Sequence, residues 1–241
     1  MKPLLQVNNL TKRYGRLTAV DQVSFSVREG EILGLIGPNG AGKTTVFESL
    51  GGVLPADQLE ISHEGRPLGM AGLNSILFYL PDAITPWPSQ TVNWALDFTV
   101  GLFGGRADLR EDVVRRLELA SLLDRSMGKL SKGQRKRALL ALGVLAPQPV
   151  LMADEPFEGL DLRQTREVAS ALRSYAGEGK RTMVLSIHQI ADAARVCDRF
   201  VLLSGGKLCG EGTLAELSAL AAARSSNASP TGLEEVFLAL T

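Results

Sequence analysis

The segment GPNGAGKT at residues 37–44 constrains this chain more than any other part of its sequence. It fits G-x-x-x-x-G-K-[ST], in which glycines let successive backbone N–H groups turn toward a polyphosphate. Lys43 adds a positive charge for the outer phosphates, and the Thr44 hydroxyl can reach a magnesium ion. The apolar run at 31–36 and the helical pattern at 44–52 predict the flanking strand and helix. The residues predicted to contact the nucleotide here are Gly37, Pro38, Asn39, Gly40, Ala41, Gly42, Lys43, Thr44 and Thr45.

Composition and charge narrow the class of protein. The 241 residues carry 26 basic and 26 acidic side chains and no charge block, so we expect no nucleic-acid partner. No apolar stretch approaches the roughly 20 residues that span a bilayer, and the N-terminus lacks the apolar core of a signal peptide. Cys197 and Cys209 have no metal or redox spacing, so we expect no metal cluster. The chain is predicted to be cytoplasmic, with any membrane role exerted through a partner.

The order of strand and helix patterns predicts an α/β fold. Strand patterns at 4–10, 22–27 and 31–36 precede the phosphate loop, and another at 74–80 follows it. From residue 149 onward strands alternate with helices, which is typical of a parallel sheet covered on both faces. We therefore predict a P-loop NTPase core with a mainly parallel sheet and an N-terminal antiparallel β subdomain.

The middle and the end of the chain have a different character. Residues 91–146 show helical spacing without a strand pattern and predict an inserted α-helical subdomain. The ATPase domain is expected to span 1–223. The segment 224–241 is predicted to be a linker, RSSNASPT at 224–231, followed by the short helix LEEVFLAL.

Two carboxylates follow a predicted buried strand in PVLMADE (149–155). Strands of α/β sheets deliver ligand-binding groups at their C-terminal ends. Asp154 suits magnesium coordination, and Glu155 is placed to polarise a water that attacks the outer phosphate. The alternative is a pair of exposed acids that end a strand, which the preceding phosphate loop makes the weaker interpretation.

The segment LSKGQRKR (130–137), called the signature segment below, is a third candidate. Ser131 is a good N-cap for the following helix, and Gly133 would let a phosphate approach the backbone. An ordinary capped helix with its basic residues in water explains the same eight residues equally well.

Two single side chains complete the candidates. His188 follows the strand pattern TMVLSI and lies where a hydrogen-bond donor to a phosphate is needed, although a lone histidine is usually structural. Tyr14 precedes the second strand and is either a turn aromatic or a platform on which adenine stacks.

Taken in this order, these elements resemble the ATP-binding subunits of ABC transporters over nearly the whole chain. The ordered elements are Tyr14, GPNGAGKT, LSKGQ, VLMADEP, GLD (159–161) and His188. The resemblance implies an ATPase that binds ATP and Mg²⁺ and forms a head-to-tail dimer with a second ATPase subunit, identical or not. It also implies a multi-pass membrane permease as partner, with this chain on the inner face of the membrane.

The resemblance also implies roles for individual residues. Ser131, Gly133 and Gln134 of one subunit would contact the γ-phosphate held by the phosphate loop of the other. Asp161 would lie at the dimer seam. Glu155 would act as general base, and His188 would hold the γ-phosphate.

Two positions depart from the family pattern. Asp82 stands where the family usually has a glutamine; a carboxylate can still ligate Mg²⁺, but it donates no hydrogen bond and adds negative charge. Lys132 stands where the signature more often has glycine. Its charge either supports the anion site or is solvated.

Export is the predicted direction of transport. The prediction rests on the C-terminal helix, which resembles the tail of subunits that serve type-two-like bacterial exporters. Amphipathic packing explains the same pattern. Trp87, between two prolines, is either an exposed anchor for the permease or packed onto the helical subdomain. The alternative function is a soluble ABC-type regulator without a permease.

Overall fold

A six-stranded sheet forms the centre of the computed structural model, which describes residues 3–82, 84–177, 181–224 and 232–241. The strand order is β10-β9-β3-β8-β7-β6, with β10 alone antiparallel to its neighbour. These strands are β3 (Ile32–Ile36), β6 (Leu77–Leu80), β7 (Val150–Asp154), β8 (Thr182–Ile187), β9 (Arg199–Ser204) and β10 (Lys207–Gly212). The predicted P-loop α/β fold with a mainly parallel sheet is therefore confirmed.

The strand β3 shows how the sheet separates two hydrophobic cores. All five of its residues are buried, as expected for a strand covered on both faces. Ile32 and Ile36 belong to the core on the helical side, whereas Leu33 and Leu35 belong to the core on the other side. This alternation follows from the two-residue period of a strand.

The second core is closed by a four-stranded antiparallel sheet with the order β2-β1-β4-β5. Its strands are β1 (Leu5–Tyr14), β2 (Leu17–Val27), β4 (Gln58–His63) and β5 (Arg66–Pro67). In β1, Leu5 and Val7 are buried while Gln6 between them is exposed. This alternation is typical of a sheet with one solvated face.

Helices make up the remaining layers. They are α1 (Lys43–Leu50), α2 (Met70–Ile76), α3 (Val92–Phe103), α4 (Arg110–Arg116), α5 (Lys132–Leu145), α6 (Leu162–Gly177), α7 (Ile190–Val196), α8 (Leu214–Arg224) and α9 (Leu233–Leu240). The helices α3 to α5 occupy the segment predicted to be helical. The helix α5 is buried along most of its length, so it joins this segment to the central sheet.

The C-terminal helix α9 packs onto the protein. Leu233, Val236 and Leu240 are buried on the face that meets the helical-side core, whereas Leu238 is exposed. Amphipathic packing therefore accounts for the pattern in LEEVFLAL. The predicted linker lies, after residue 224, outside the described residues.

Secondary structure was predicted less accurately between α1 and β6 and after β10. The strand predicted at 74–80 begins only at Leu77, because residues 74–76 complete α2. The strands β4 and β5 and the helix α8 were not predicted. Both β1 and β2 extend beyond the predicted 4–10 and 22–27, since their polar residues alternate on the solvated face.

Candidate nucleotide site

The phosphate loop connects β3 to α1 with the backbone that its glycines allow. Gly40 and Gly42 have φ angles of 81° and 100°, which side chains disfavour. A Cβ atom on Gly37 would lie 2.4 Å from the carbonyl oxygen of Leu203, so no side chain fits there. The N-terminus of α1 thus meets a loop of closely packed backbone, an arrangement that favours phosphate.

Lys43 holds a buried positive charge at this loop. Its side chain is 6% exposed, and Nζ donates hydrogen bonds to the carbonyl oxygens of Gly37 (2.8 Å) and Pro38 (3.4 Å). The nearest carboxylate oxygen, Oε1 of Glu155, is 3.7 Å away. A buried ammonium whose hydrogen bonds go to neutral carbonyl oxygens suits an anionic ligand.

The two acids at the end of β7 are held by a serine that the sequence analysis missed. Ser186, fully buried in β8, donates from Oγ to Oδ1 of Asp154. The same Oγ accepts a hydrogen bond from the backbone N–H of Glu155 at 3.1 Å. The only sequence signal for Ser186 is its place in a strand that leads to His188. It orients both acids at once.

Asp154 lies in surroundings that fit a cation. Burial raises the pKa of Asp154; the Ser186 hydrogen bond opposes this, the charge of Asp82 adds to it, and a Thr44 hydrogen bond opposes it. Thr44 is a hydrogen-bond partner of Asp154, and Nζ of Lys136 lies 2.5 Å from Oδ1 of Asp82 and 3.4 Å from the carbonyl oxygen of Asp154. Hard oxygen donors of this kind are what Mg²⁺ prefers, so these residues fit the predicted metal.

Glu155 and His188 form the other contact at this edge of the sheet. Nδ1 of His188 is 2.6 Å from Oε2 of Glu155, and the two side chains are 38% and 18% exposed. Glu155 has a φ angle of 46°, which is uncommon for a residue with a side chain. The carboxylate of Glu155 therefore lies between Lys43 and His188.

These groups open into a cleft of about 670 Å³. Its lining residues are Tyr14, Leu17, Thr18, Ala19, Pro38, Asn39, Gly40, Ala41, Gly42, Lys43, Thr44, Thr45, Glu155, Glu158, His188, Gly205 and Gly206. Tyr14 is 47% exposed at the cleft, and Nζ of Lys12 lies 5.4 Å from its ring centroid. An exposed aromatic face at the edge of a phosphate site suits a stacked base.

Asp82 is near Asp154, but its carboxylate is already paired. Oδ1 of Asp82 is 2.5 Å from Nζ of Lys136, a buried lysine in α5. Burial alone raises the pKa of Asp82, yet the hydrogen bond and charge of Lys136, a hydrogen bond with Glu158 and the charge of Lys132 together outweigh it and lower that pKa. No pattern in the sequence pointed to a role for Lys136 beyond that of a basic residue in water.

Lys132, the second departure from the family pattern, is also paired. Its Nζ lies 2.5 Å from Oε1 of Glu158, with the two side chains 52% and 39% exposed. This ion pair argues against a purely solvated Lys132 charge, and the support of an anion site by Lys132 stays a prediction.

The predicted γ-phosphate contacts of the signature segment lie at the start of α5. Ser131 and Gln134 form a reciprocal capping box at the start of α5: Oγ of Ser131 accepts from the Gln134 N–H at 3.3 Å, and Oε1 of Gln134 accepts from the Ser131 N–H at 3.1 Å. A Cβ atom on Gly133 would lie 2.8 Å from the carbonyl oxygen of Gly159. None of the three is among the residues that line the cleft in the described part of the chain.

Asp161 begins α6 as its cap. Oδ1 of Asp161 accepts a hydrogen bond from the N–H of Gln164 at 2.8 Å, and its carbonyl oxygen accepts one from the N–H of Thr165 at 2.8 Å. Asp161 also does not line the cleft.

The sequence matches the family described as "ABC transporter" over residues 20–158. The chain belongs to this family. It is an ATP-binding cassette of a transporter, and the family hydrolyses ATP.

Relatives of this ABC ATPase serve transport in both directions. It is 33% identical over 209 residues to the SkfA peptide export ATP-binding protein SkfE of Bacillus subtilis, covering 85% of this chain and 87% of the relative. It is 34% identical to the hemin import ATP-binding protein HmuV of Thermobifida fusca, covering 89% and 78%. A solved structure described as the ATP-binding subunit of an ABC transporter superposes with a TM-score of 0.84 at 27% identity, covering 98% and 99%.

The helices described for this ABC ATPase are all too short or too polar to cross a membrane. An aromatic cluster joins α3 to the loop that precedes it. Trp87 packs edge-on against Trp94 and Phe98, with ring centroids 5.6 and 5.0 Å away, and is half-buried. Packing onto the helical subdomain therefore explains Trp87, whereas Trp94 remains 37% exposed.

Proposed function

We propose that this ABC ATPase dimerises head to tail with a second ATPase subunit around two ATP·Mg²⁺ and powers export through a separate multi-pass permease. One observation carries the proposal. The cleft holds the phosphate loop, Glu155 and His188, while the signature residues Ser131 and Gly133 lie outside it. A cleft that Ser131, Gly133 and Gln134 of the same chain do not line is half of a site, and a second subunit supplies the other half.

Within one subunit, each group has a place in ATP binding and hydrolysis. Lys43 and the N-terminus of α1 bind the β- and γ-phosphates, and Tyr14 stacks on the adenine. Thr44, Asp154 and Asp82 hold Mg²⁺, which when bound neutralises charge on the phosphate oxygens. Glu155 is placed to accept the proton of the attacking water, because its carboxylate lines the cleft next to the phosphate loop. His188 donates to the γ-phosphate.

The second subunit contributes an anion site built on its α5. The capping box pairs the N–H groups of Ser131 and Gln134, so a γ-phosphate would meet the other N–H groups of the first turn and the positive end of the helix dipole. Ser131, Gly133 and Gln134 make these contacts, and Asp161 lies at the seam. Closure of the dimer therefore completes the site and couples hydrolysis to movement.

The permease binds beside the exposed ring of Trp94, on the aromatic cluster of Trp87, Trp94 and Phe98. A rigid, half-exposed aromatic group is typical of interface anchors. The ATPase is then cytoplasmic and peripheral to the membrane. Export is favoured by the peptide-export relative and by the Nod factor export ATP-binding protein I of Ralstonia nicotianae, 35% identical over 221 residues.

The first test uses Glu155→Gln, which removes the base but keeps the size of the side chain. With ATP and Mg²⁺, light scattering after gel filtration is expected to show a stable dimer, because bound ATP is no longer hydrolysed. The matched control is Lys43→Ala in the same background, which is expected to stay monomeric. A Glu155→Gln protein that hydrolyses ATP at the wild-type rate would contradict the role of Glu155.

The second test identifies the partner. Tagged Glu155→Gln protein is captured with ATP and Mg²⁺ from detergent-solubilised membranes of its native cell, and co-purifying proteins are identified by mass spectrometry. A stoichiometric multi-pass membrane protein is expected. Recovery with ribosomal or DNA-bound proteins, or alone, would favour a soluble regulator instead.

A further inference from the structure

Two lysines on one face of α5 meet two acids from other parts of the nucleotide site. Lys132 and Lys136 are four residues apart, so their side chains leave the helix in the same direction. Lys132 pairs with Glu158, which follows β7, and Lys136 pairs with Asp82, which follows β6; both N–O distances are 2.5 Å. Both charges that depart from the family pattern, those of Asp82 and Lys132, are thus balanced within the chain.

The two ion pairs differ in how exposed they are to solvent. Lys132 and Glu158 are 52% and 39% exposed, and an ion pair of that kind contributes little. Lys136 is 6% exposed and Asp82 is 29% exposed, so removal of either partner leaves a poorly solvated charge. We therefore expect the Asp82–Lys136 pair, rather than the Lys132–Glu158 pair, to affect function.

Lys136 also reaches the strand that carries the candidate metal ligand. Its Nζ lies 3.4 Å from the backbone carbonyl oxygen of Asp154, in addition to its contact with Asp82. A single ammonium group thus connects the helical segment, the end of β6 and the end of β7.

The pair has the hydrogen-bonding capacity of the glutamine that Asp82 replaces. A glutamine side chain is neutral and has both an acceptor oxygen and donor N–H groups, whereas a carboxylate is charged and only accepts. Lys136 supplies N–H donors and a compensating positive charge. Together, Asp82 and Lys136 are neutral and offer both an acceptor and a donor.

We propose that Lys136 is a positioning residue for ATP hydrolysis: its ammonium holds the Asp82 carboxylate beside Asp154 and cancels its charge. The pair then takes the place of a glutamine at the metal side of the site. This inference rests on the proposed function of the cleft. It requires Asp82 and Lys136 to act as a unit, so either residue without its partner should impair ATP hydrolysis.

The test is a double-mutant cycle of Asp82→Gln, Lys136→Gln and the double variant. Steady-state ATP hydrolysis is measured over a range of Mg²⁺ concentrations, and kcat and the Mg²⁺ concentration for half-maximal rate are compared. Each single change is expected to lower kcat or raise that concentration about tenfold. The double variant is expected to recover to within about threefold of wild type.

Arg199→Gln serves as a control for a purely structural role. Arg199 is 5% exposed and pairs with Glu31 and Glu211 near the start of β9, at the opposite end of the strands. This variant is expected to unfold at a lower temperature while the Mg²⁺ dependence of the remaining activity stays unchanged. If Lys136→Gln behaves in the same way, Lys136 is structural and the proposal is overturned.

The sign of one comparison decides the outcome even when Lys136→Gln alone does not fold. In the Asp82→Gln background, removal of the Lys136 charge is expected to increase hydrolysis. A decrease there would overturn the inference while wild-type hydrolysis still supports the proposed function. Where Lys136→Gln does fold, fold-changes that simply multiply would overturn it too. A wild-type protein that neither binds nor hydrolyses ATP would instead overturn the proposed function.

Discussion

Nδ1 of His188 lies 2.6 Å from Oε2 of Glu155, although the two residues are 33 positions apart in the chain. They meet because β7 and β8 are adjacent parallel strands, and each residue follows its strand at the same edge. Ser186 strengthens this arrangement, since its hydroxyl binds the backbone of Glu155. Ser186 in β8 thus holds the backbone of Glu155, and His188 after β8 contacts its carboxylate, the group proposed as general base.

His188→Ala should lower kcat for ATP hydrolysis about 10²-fold, because Glu155 loses an orienting partner and the γ-phosphate loses a donor. Nucleotide affinity should change much less, since the phosphate loop is intact. Phosphate release and binding of a fluorescent ATP analogue measure the two effects separately. His63→Ala is the matched control, because His63 lies in β4 and does not line the cleft. Equal kcat in both variants would contradict a role for His188.

Lys43→Ala should weaken ATP binding about 10- to 150-fold, the range for a lost hydrogen bond to a charged group. The loop itself should survive, because its shape depends on Gly37 and its neighbours. Equilibrium binding of a labelled nucleotide is the measurement. Lys207→Ala, which removes a 70% exposed lysine of β10, should bind as wild type does. Unchanged binding by Lys43→Ala would show that the phosphates lie elsewhere.

Gly133→Ala should destabilise the protein by about 1–3 kcal/mol, because its Cβ would lie 2.8 Å from the carbonyl oxygen of Gly159. Gly101→Ala is the matched control in α3. No described atom lies within 4 Å of a Cβ at Gly101, so that change should stabilise the helix by about 0.5–1 kcal/mol. Urea unfolding measures both. Two shifts of the same sign would contradict the close approach of Gly133 to Gly159.

Asp112 should contribute stability that disappears in acid. Burial alone raises the pKa of Asp112, but hydrogen bonds from Arg116, Tyr175 and Arg115 outweigh it and lower that pKa below 3.8. The unfolded chain then binds the proton more readily, so the contribution is present above pH 3.8 and is lost as the pH falls toward the folded pKa.

Asp112→Asn should therefore lower the free energy of unfolding at pH 7 and make it less dependent on pH below about 4. Urea unfolding at several pH values is the measurement. Tyr175→Phe, which removes one donor 3.0 Å from Oδ2 of Asp112, should have a smaller effect in the same direction. Parallel pH profiles for Asp112→Asn and wild type would exclude the carboxylate as the cause.

Local patterns predicted the elements on which the site is built. The glycine spacing in 37–44 predicted the loop between β3 and α1, and the run at 149–155 predicted a strand that ends on two acids. These predictions succeed because a buried strand and a tight turn need particular residues at particular positions. The helices α2 and α8 and the strands β4 and β5 were missed, since their residues are partly exposed and their periodicity is weak.

Contacts between distant segments were not predictable in the same way. Nothing near Ser186 in the sequence indicates that it binds both Asp154 and Glu155. The basic residues of the signature segment give no sign that Lys136 is buried against Asp82. Such partners are chosen by strand order and by helix docking, which bring together residues far apart in the chain.

The sequence by itself determined the family, the phosphate loop, the acids after β7 and the helical segment, because each depends on residues close together in the chain. Only the tertiary structure decided that His188 meets Glu155, that Gly133 touches Gly159 and that Asp82 is neutralised by Lys136. These contacts depend on how β6, β7 and β8 are ordered in the sheet and how α5 packs on it. The energy of a charge depends on its surroundings in space, which local patterns do not contain.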